Sequence, residues 1–542
     1  MVYLTTVTSL KNCLNKTPKN NSSSCNSSFC EKNPSCGNIA QDGKQCSLSN
    51  NSEARTKGTF LAKRTSFTKE SVFTNETIFC ADIGTSSLKA ALIDKNGAVF
   101  AFSQQTFDTS VERTKLVSQQ WLSALCAAAN DFGEKIKTVK GICISGNGPT
   151  IVSDDGTTLL WNDAVTQDHN GASPDTTGKS ATQAALTQPE KSETKKSSST
   201  TAENATEASC KKTKSLFIPR LLAFRQKFPL QWNNATFIFS GPEYLMYLLT
   251  GKAVTILPEQ RFEAAYWNNA ELSRMGFAPA EQKKLPPFVA PAFNLGKTTK
   301  KITAQLNLTS PVPVFCGAPD FVAALIGTNT LKPGKICDRA GSSEGINFCT
   351  EHILDHPKIR MLPSVISGLW NASVLFPDSG RLFSEYKNKI ENERKKSISY
   401  KNLVEECLAD KTSEGYKIMQ SLAEKTKDAF EILDGALRCY AAHSATITAD
   451  DKTSQDIGAT HIPSSITITG GQAKSEQWVQ MKADICCKNF ELCSIADSEL
   501  LGDAVLGFTG LGTYKTIQEA ADAIIKTGKV FKPTGGNKNE NI

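Results

Sequence analysis

Two strand-turn-strand units, one over residues 77–93 and one over 335–349, set the tightest limit on how this chain can fold. In the first, Ile78-Phe79-Cys80-Ala81 runs to Asp82-Ile83, passes Gly84-Thr85-Ser86-Ser87, and resumes as Leu88-Lys89-Ala90-Ala91-Leu92-Ile93. In the second, Lys335 to Ala340 leads through Gly341-Ser342-Ser343-Glu344-Gly345 into Ile346 to Cys349. Apolar runs bounded by small turn residues read as paired strands, and glycine in the turn lets backbone approach a ligand. Each turn is, at its simplest, an ordinary hairpin. Each is also suited to phosphate, because Gly, Ser and Thr offer N–H and hydroxyl donors. Gly84, Thr85, Ser86 and Lys89 are the candidate phosphate contacts of the first turn, and Gly341, Ser342 and Ser343 those of the second. Asp82, at a strand end, is the candidate Mg²⁺ ligand, directly or through water.

The chain around these units alternates strand and helix. Asp94-Lys95-Asn96-Gly97 is a hairpin signal leading to a third strand, 98–107. Trp121, Leu122, Leu125 and Ala128 recur at helical spacing, and Val139 to Ser145 reads as a strand ending in Gly146-Asn147-Gly148-Pro149. Strand, hairpin, helix and strand in that order open an α/β layer. Helices are expected over 216–228 and 244–249, the latter closed by Thr250-Gly251. A short strand, 312–316, precedes Asp320 and the helix 321–327. One helical stretch is expected over about 400–442, then a strand at 465–469, the turn Gly470-Gly471 and a helix over 474–487. Asp320 at a helix start is either a plain N-cap or a base kept ionised by the helix dipole.

A chain of 542 residues exceeds one ordinary core, so two domains are expected. Residues 1–75 and 168–214 are rich in Ser, Thr, Asn and Lys and lack periodicity, and are expected to be disordered; 533–542 is read as a tail. Residues 1–75 hold ten Lys/Arg against four Asp/Glu, which leaves about +1 of the net +7 for the rest. A near-neutral folded part argues against nucleic acid as a partner. No run approaches the roughly 18 apolar residues of a membrane span, and the N-terminus has no signal-peptide core, so a cytoplasmic protein with no membrane partner is expected. Among 17 cysteines, Cys80, Cys143, Cys316, Cys337 and Cys439 lie singly in apolar segments, as buried free thiols do. Cys13, Cys25, Cys30, Cys36 and Cys46 match no zinc spacing, and the five histidines form no ligand set.

Taken in order, five segments over residues 77–531 resemble the FGGY family of carbohydrate kinases, its xylulokinase branch most of all. Asp82-Ile83-Gly84-Thr85-Ser86 is similar to the family's first phosphate turn, and Leu159-Leu160-Trp161-Asn162-Asp163, after Ser145-Gly146-Asn147, to its sugar-side segment. Gly317-Ala318-Pro319-Asp320 resembles the strand end carrying its catalytic aspartate, Ala340 to Gly345 its second phosphate turn, and Thr469-Gly470-Gly471-Gln472-Ala473-Lys474-Ser475 its adenosine-side loop. The resemblance implies two ribonuclease-H-like domains of the actin/hexokinase type, 76–334 and 335–532, with ATP and Mg²⁺ in the cleft and a small sugar or polyol, xylulose-like, held mainly by the first. It implies Asp320 as the base, Asn147, Gly148, Asp163 and Asp320 around the sugar, and Gly470, Gly471, Gln472, Ala473 and Lys474 around the nucleotide. A homodimer is compatible with it.

The chain departs from that pattern in three places. Glu344 adds a carboxylate to the second turn and is expected to face outward, away from phosphate. Asn147-Gly148-Pro149 replaces the Gln, Met and His usual on the sugar side, and the family's Gly-Glu-Arg segment is missing, its place taken by 384–462. These departures leave a second reading open: a catalytically impaired nucleotide- or sugar-binding protein on the same fold.

Overall fold

Thr77–Ile83 is buried along its whole length, as its apolar composition requires, and pairs antiparallel with Ser87–Asp94, Asp82 opposite Lys89. The computed structural model describes residues 76–108, 113–163, 165, 213–341, 343–448 and 461–535, all within one compact unit, Val72–Ile542. The expected disordered tract 1–75 lies outside the described residues, as do 168–212, the tail from 536 and Ser342.

The first sheet has six strands, in the order Asn294–Lys297, Pro313–Pro319, Val139–Gly146, Thr77–Ile83, Ser87–Asp94, Val99–Thr106. Thr77–Ile83 pairs parallel with Val139–Gly146, which pairs parallel with Pro313–Pro319. The second sheet has seven, in the order Arg360–Pro363, Trp370–Phe376, Glu344–Thr350, Ile336–Ala340, Ser465–Gly470, Asn489–Cys493, Thr527–Phe531. Ile336–Ala340 pairs antiparallel with Glu344–Thr350 and parallel with Ser465–Gly470, which pairs parallel with Asn489–Cys493. Apart from the added edge strand Arg360–Pro363, the two sheets repeat one pattern of pairings. That repeat is the actin/hexokinase-type architecture of two ribonuclease-H-like units.

One element absent from the sequence reading joins the repeats. The helix Ser498–Gly510 follows six of the second sheet's seven strands but packs on the first: Leu500, Leu501, Ala504, Val505 and Phe508 share a core with Ile78, Cys143 and Phe315. It meets the helix Asp320–Gly327 almost backbone to backbone. A Cβ on Gly327 would lie 1.8 Å from the Ser498 carbonyl oxygen, and one on Gly502 would lie 2.1 Å from that of Ala323. Glycine is the residue that permits such an approach, despite its cost inside a helix.

Two local expectations need correction. The stretch 400–442 is two helices, Tyr400–Ala409 and Glu414–Thr448, because Asp410 Oδ1 accepts from the amide and hydroxyl of Thr412 and closes a turn between them. Cys80, Cys143, Cys316 and Cys337 are buried thiols, but Cys439 is exposed, since it lies on the outer face of that long helix. Among the described residues no helix is long and apolar enough to cross a membrane.

Candidate active site

The first glycine turn, the start of the Asp320 helix and the Gly470–Ser475 loop carry charged side chains to one place. Asp82 is 4% exposed. Its Oδ2 lies 3.8 Å from Lys89 Nζ, while Oδ1 is buried with no hydrogen-bond donor. Burial pushes the Asp82 carboxyl up to about 7; Lys89 opposes the rise, and Glu499, Asp320 and Asp497 add to it. Lys89 also binds Asp497 at 3.0 Å, and Asp497 binds Lys474 at 3.0 Å. Burial alone would raise Asp497, but the two ammonium groups outweigh it and hold the carboxyl below its ordinary range. Burial works to lower Lys89, and Asp82 and Asp497 together keep it above its ordinary value. One ionic chain thus runs from the first glycine turn to Lys474 in the Gly470–Ser475 loop. Behind it, the buried Asp503 accepts from Ser145 Oγ at 3.1 Å, and burial, then the Asp82 charge, push its carboxyl well up.

Asp320 is the first residue of its helix, after Pro319. Its Oδ1 accepts from the Phe321 amide at 2.6 Å, so it engages the free N–H of the next residue rather than capping from outside. Its Oδ2 lies 3.9 Å from Arg339 Nη1 on the second sheet.

Asn147 and Trp161 gather around Thr85. Its Oγ1 accepts from Trp161 Nε1 at 2.9 Å and from Asn147 Nδ2 at 3.3 Å, while Asn147 Oδ1 accepts from Thr150 Oγ1 at 3.2 Å. Asp163 closes its own turn, Oδ2 accepting from the Leu160 amide at 2.9 Å. Arg220 fixes that turn from below, donating to the carbonyls of Leu160 at 2.6 Å, Asp163 at 3.4 Å and Trp161. Gly148 is exposed beside Asn147.

In the second turn, the Gly341 amide donates to the Ser343 carbonyl at 3.1 Å. Glu344 does not face outward. It is 0% exposed and accepts from Ser379 Oγ at 2.6 Å, Lys482 Nζ at 2.7 Å, and Thr426 Oγ1 and Gln472 Nε2 at 2.8 Å. The same ammonium reaches Asp338 Oδ2 at 2.6 Å. Strand alternation explains the correction: Gly345, opposite Arg339, belongs to the cleft face, so its neighbour Glu344 points into the helix-covered core. Gln472 and Ala473 are buried as well, Gln472 tied to Glu344, while Gly471 and Lys474 remain exposed. Gly470 has φ +91°, and a Cβ there would meet the Ala340 carbonyl at 2.6 Å, so the loop lies tight against the second turn. Ser86 is exposed, beside the half-buried Gly84 and Thr85.

Arg220, Arg339, Lys482, Asp497 and Glu499 were not singled out by sequence reasoning. The signal for Asp497 and Glu499 was a carboxylate pair flanking Ser498 just ahead of an apolar helical run.

Residues 77–327 match the N-terminal domain of the FGGY family of carbohydrate kinases. Over 490 residues the chain is 23% identical to a xylulose kinase of Staphylococcus epidermidis, covering 84% of this chain and 92% of that one. Its fold is similar to a ligand-bound xylulose kinase of Lactobacillus acidophilus, with TM-score 0.59, 16% identity, and 85% and 94% of the two chains covered. It is similar also to a glycerol kinase of Plasmodium falciparum solved with ADP, with TM-score 0.55, 13% identity, and the same shares covered.

Proposed function

Since this chain belongs to the FGGY family of carbohydrate kinases, we propose that it transfers the γ-phosphate of ATP to a hydroxyl of a small sugar or polyol in the cytoplasm, a xylulose-like ketose being favoured. The observation that carries the reading is the convergence of Asp82 and Lys89, from the two strands of the first turn, and Asp320, from a helix start, on one cluster that reaches Lys474 through Asp497. The xylulose kinase relative supports the sugar. The division of labour follows the sheets: residues 76–334 would carry sugar and base, and 335–532 the nucleotide, with the Ser498–Gly510 helix crossing between them.

Phosphoryl transfer asks the protein for position and charge more than for covalent chemistry. Asp320 would take the proton of the attacking hydroxyl, its carboxylate oriented by the Phe321 amide. Lys89 and the Gly84–Ser86 and Gly341–Ser343 turns would hold phosphate oxygens, and Gly471 and Lys474 would border the nucleoside. Asn147, Gly148, Trp161 and Asp163 would border the sugar, with Thr85 linking that border to the phosphate turn.

Asp82 fits a Mg²⁺ ligand, because a buried carboxylate oxygen without a donor is unsatisfied until a cation arrives. Among the described residues no set of three His, Cys, Asp or Glu surrounds it, which suits an ion completed by phosphates and water. When bound there, Mg²⁺ would neutralise charge on the phosphates.

The impaired-protein reading loses one of its three supports with Glu344 committed to Lys482 rather than facing phosphate. The test is ADP release by the full chain across ketopentoses and polyols with ATP and Mg²⁺. One sugar should raise the rate well above the sugar-free background, and Asp320→Asn should lower it by about 10²–10⁴-fold. No response to any sugar, or an indifferent Asp320→Asn, refutes the proposal.

A further inference from the structure

The repeat of one topology in both sheets aligns residues that look unrelated in sequence. Thr77–Ile83 and Ile336–Ala340 occupy the same place: each pairs antiparallel with the next strand across a glycine turn and parallel with the strand on its other side. Asp82 and Arg339 each stand two residues before their turn glycine, Gly84 and Gly341. Across the parallel pairing, Asp82 is beside Ser145 and Arg339 beside Thr469. Arg339 is therefore the second sheet's counterpart of the candidate metal-side carboxylate, with the sign of charge reversed.

The ion pairs of the cleft cross in the same symmetric way. Asp497, just before the helix Ser498–Gly510, binds Lys89 of the first sheet at 3.0 Å, and Asp320, opening the helix Asp320–Gly327, faces Arg339 of the second at 3.9 Å. The two cations differ in how far they are committed. Lys89 sits between two carboxylates. Arg339, among the described residues, makes no side-chain hydrogen bond, and its contact with Asp320 is longer than one. The second sheet offers it no closer acid: Asp338 and Glu344 point to the opposite face and are held by Lys482. On its own face the register runs from Arg360 through Ser373 and Asn347 to Cys337, two residues from Arg339, so a further guanidinium shares that face. The Arg339 side chain is 19% exposed, enough to meet a ligand in the cleft.

We propose that Arg339 is a further catalytic residue, its guanidinium binding the oxygens of the phosphoryl group as it passes from ATP to the hydroxyl facing Asp320. The inference rests on the kinase reading. In the step, the bond from the γ-phosphorus to the ADP oxygen breaks and a bond from the sugar oxygen to that phosphorus forms. The hydroxyl proton goes to Asp320, and the bonding electron pair leaves with ADP. Arg339 gives up neither proton nor electron; it donates N–H groups to oxygens whose charge is shared by both partners in transit, a task matched to a planar, permanently charged fork. Engaging phosphate also draws the guanidinium off Asp320 and leaves that carboxylate to the sugar proton.

The experiment compares wild type, Arg339→Met and Arg339→Lys in the full chain by two readouts. With a responding sugar, Arg339→Met should lower kcat by about 10³-fold or more, the scale of an arginine in phosphoryl transfer, with KM for the sugar within about threefold. Arg339→Lys should fall between, since a point charge replaces only part of the fork. Calorimetry with ADP, Mg²⁺ and aluminium fluoride, a planar phosphoryl mimic, should show wild type favouring the mimic complex over ADP alone, and Arg339→Met losing that preference by at least about 30-fold while keeping its ADP affinity. A kcat within about tenfold of wild type, or a retained mimic preference, overturns the inference while a sugar-responsive wild type leaves the kinase reading standing. If wild type responds to no sugar, the kinase reading fails and the mimic preference alone decides Arg339. If Arg339→Met does not fold, Arg339→Lys decides by the same two readouts, values equal to wild type counting against the proposal.

Discussion

Replacing Lys482 with Met should destabilise the second sheet strongly at alkaline pH and weakly at acidic pH. The ammonium is 0% exposed and serves two carboxylates, Asp338 Oδ2 at 2.6 Å and Glu344 Oε1 at 2.7 Å. Without it Glu344 keeps donors from Ser379, Thr426 and Gln472, whereas Asp338 keeps none, its Oδ1 having no partner even in the native protein. Removing one member of a buried pair costs about 3–5 kcal/mol. The cost has a ceiling, because Asp338 can take up a proton instead. Starting from an ordinary aspartate, that protonation costs about 6 kcal/mol at pH 8 and about 1–2 kcal/mol at pH 5. The expected loss is therefore about 4 kcal/mol at pH 8 and under about 2 kcal/mol at pH 5.

The native protein already leans this way. Burial, opposed by Lys482, pushes Asp338 up to about 7, so its folded form holds a proton that the unfolded chain releases, and stability from this residue falls as pH rises from about 4 to 7. Glu344 has the opposite sign. Burial would raise it, but Lys482 and the hydroxyl donors hold it low, so its stabilisation is present above its ordinary value and lost on acidification. Urea unfolding followed by circular dichroism at both pH values is the assay; with a slope of about 3 kcal/mol per molar, the midpoint should drop by about 1 M at pH 8. Adding Asp338→Asn to Lys482→Met should restore most of the loss at pH 8. An effect below about 1 kcal/mol at pH 8, or one equal at both pH values, would refute the reasoning.

Mg²⁺-nucleotide affinity should climb by about tenfold between pH 6 and pH 8, because Asp82 ionises near 7 and a metal takes only the carboxylate. Calorimetry should find the climb flattened in Asp82→Asn, and a parallel climb there would remove Asp82 from the metal site. Gly502→Ala puts a methyl 2.1 Å from the Ala323 carbonyl and should cost at least about 3 kcal/mol or prevent folding, whereas a near-neutral melt would show that the helix contact can yield. Gly435→Ala, in the middle of the long helix with nothing within 4 Å, should instead stabilise by about 0.5–1 kcal/mol, read as a raised urea midpoint.

What sequence could tell was local. Thr77–Ile83 and its turn were legible because an apolar run, a carboxylate and a glycine turn lie side by side in the chain, and Asp320 because a short strand ends directly before it. Glu344 was misplaced because alternation says only that neighbours face opposite ways. Which face is core was decided by Lys482, on a helix far along the chain. Gln472 followed the same fate, its amide turned in to Glu344. The helix Ser498–Gly510 escaped notice because Gly502, Gly507 and Gly510 look like turn chemistry until Ala323, Ile78 and Phe315 are seen pressed against them. Asp497 and Glu499 were lost with it.

That helix also sets a timetable. Ribosomes deliver the first sheet long before residues 498–510, so during synthesis the side of Ile78, Cys143 and Phe315 waits uncovered while six of the second sheet's seven strands are made. A nascent chain arrested after residue 334 would bare this surface to chaperones and to other nascent chains. The first unit can then close only after nearly the last of the chain has emerged, and a permuted gene that places 498–524 ahead of residue 76 should relieve the delay.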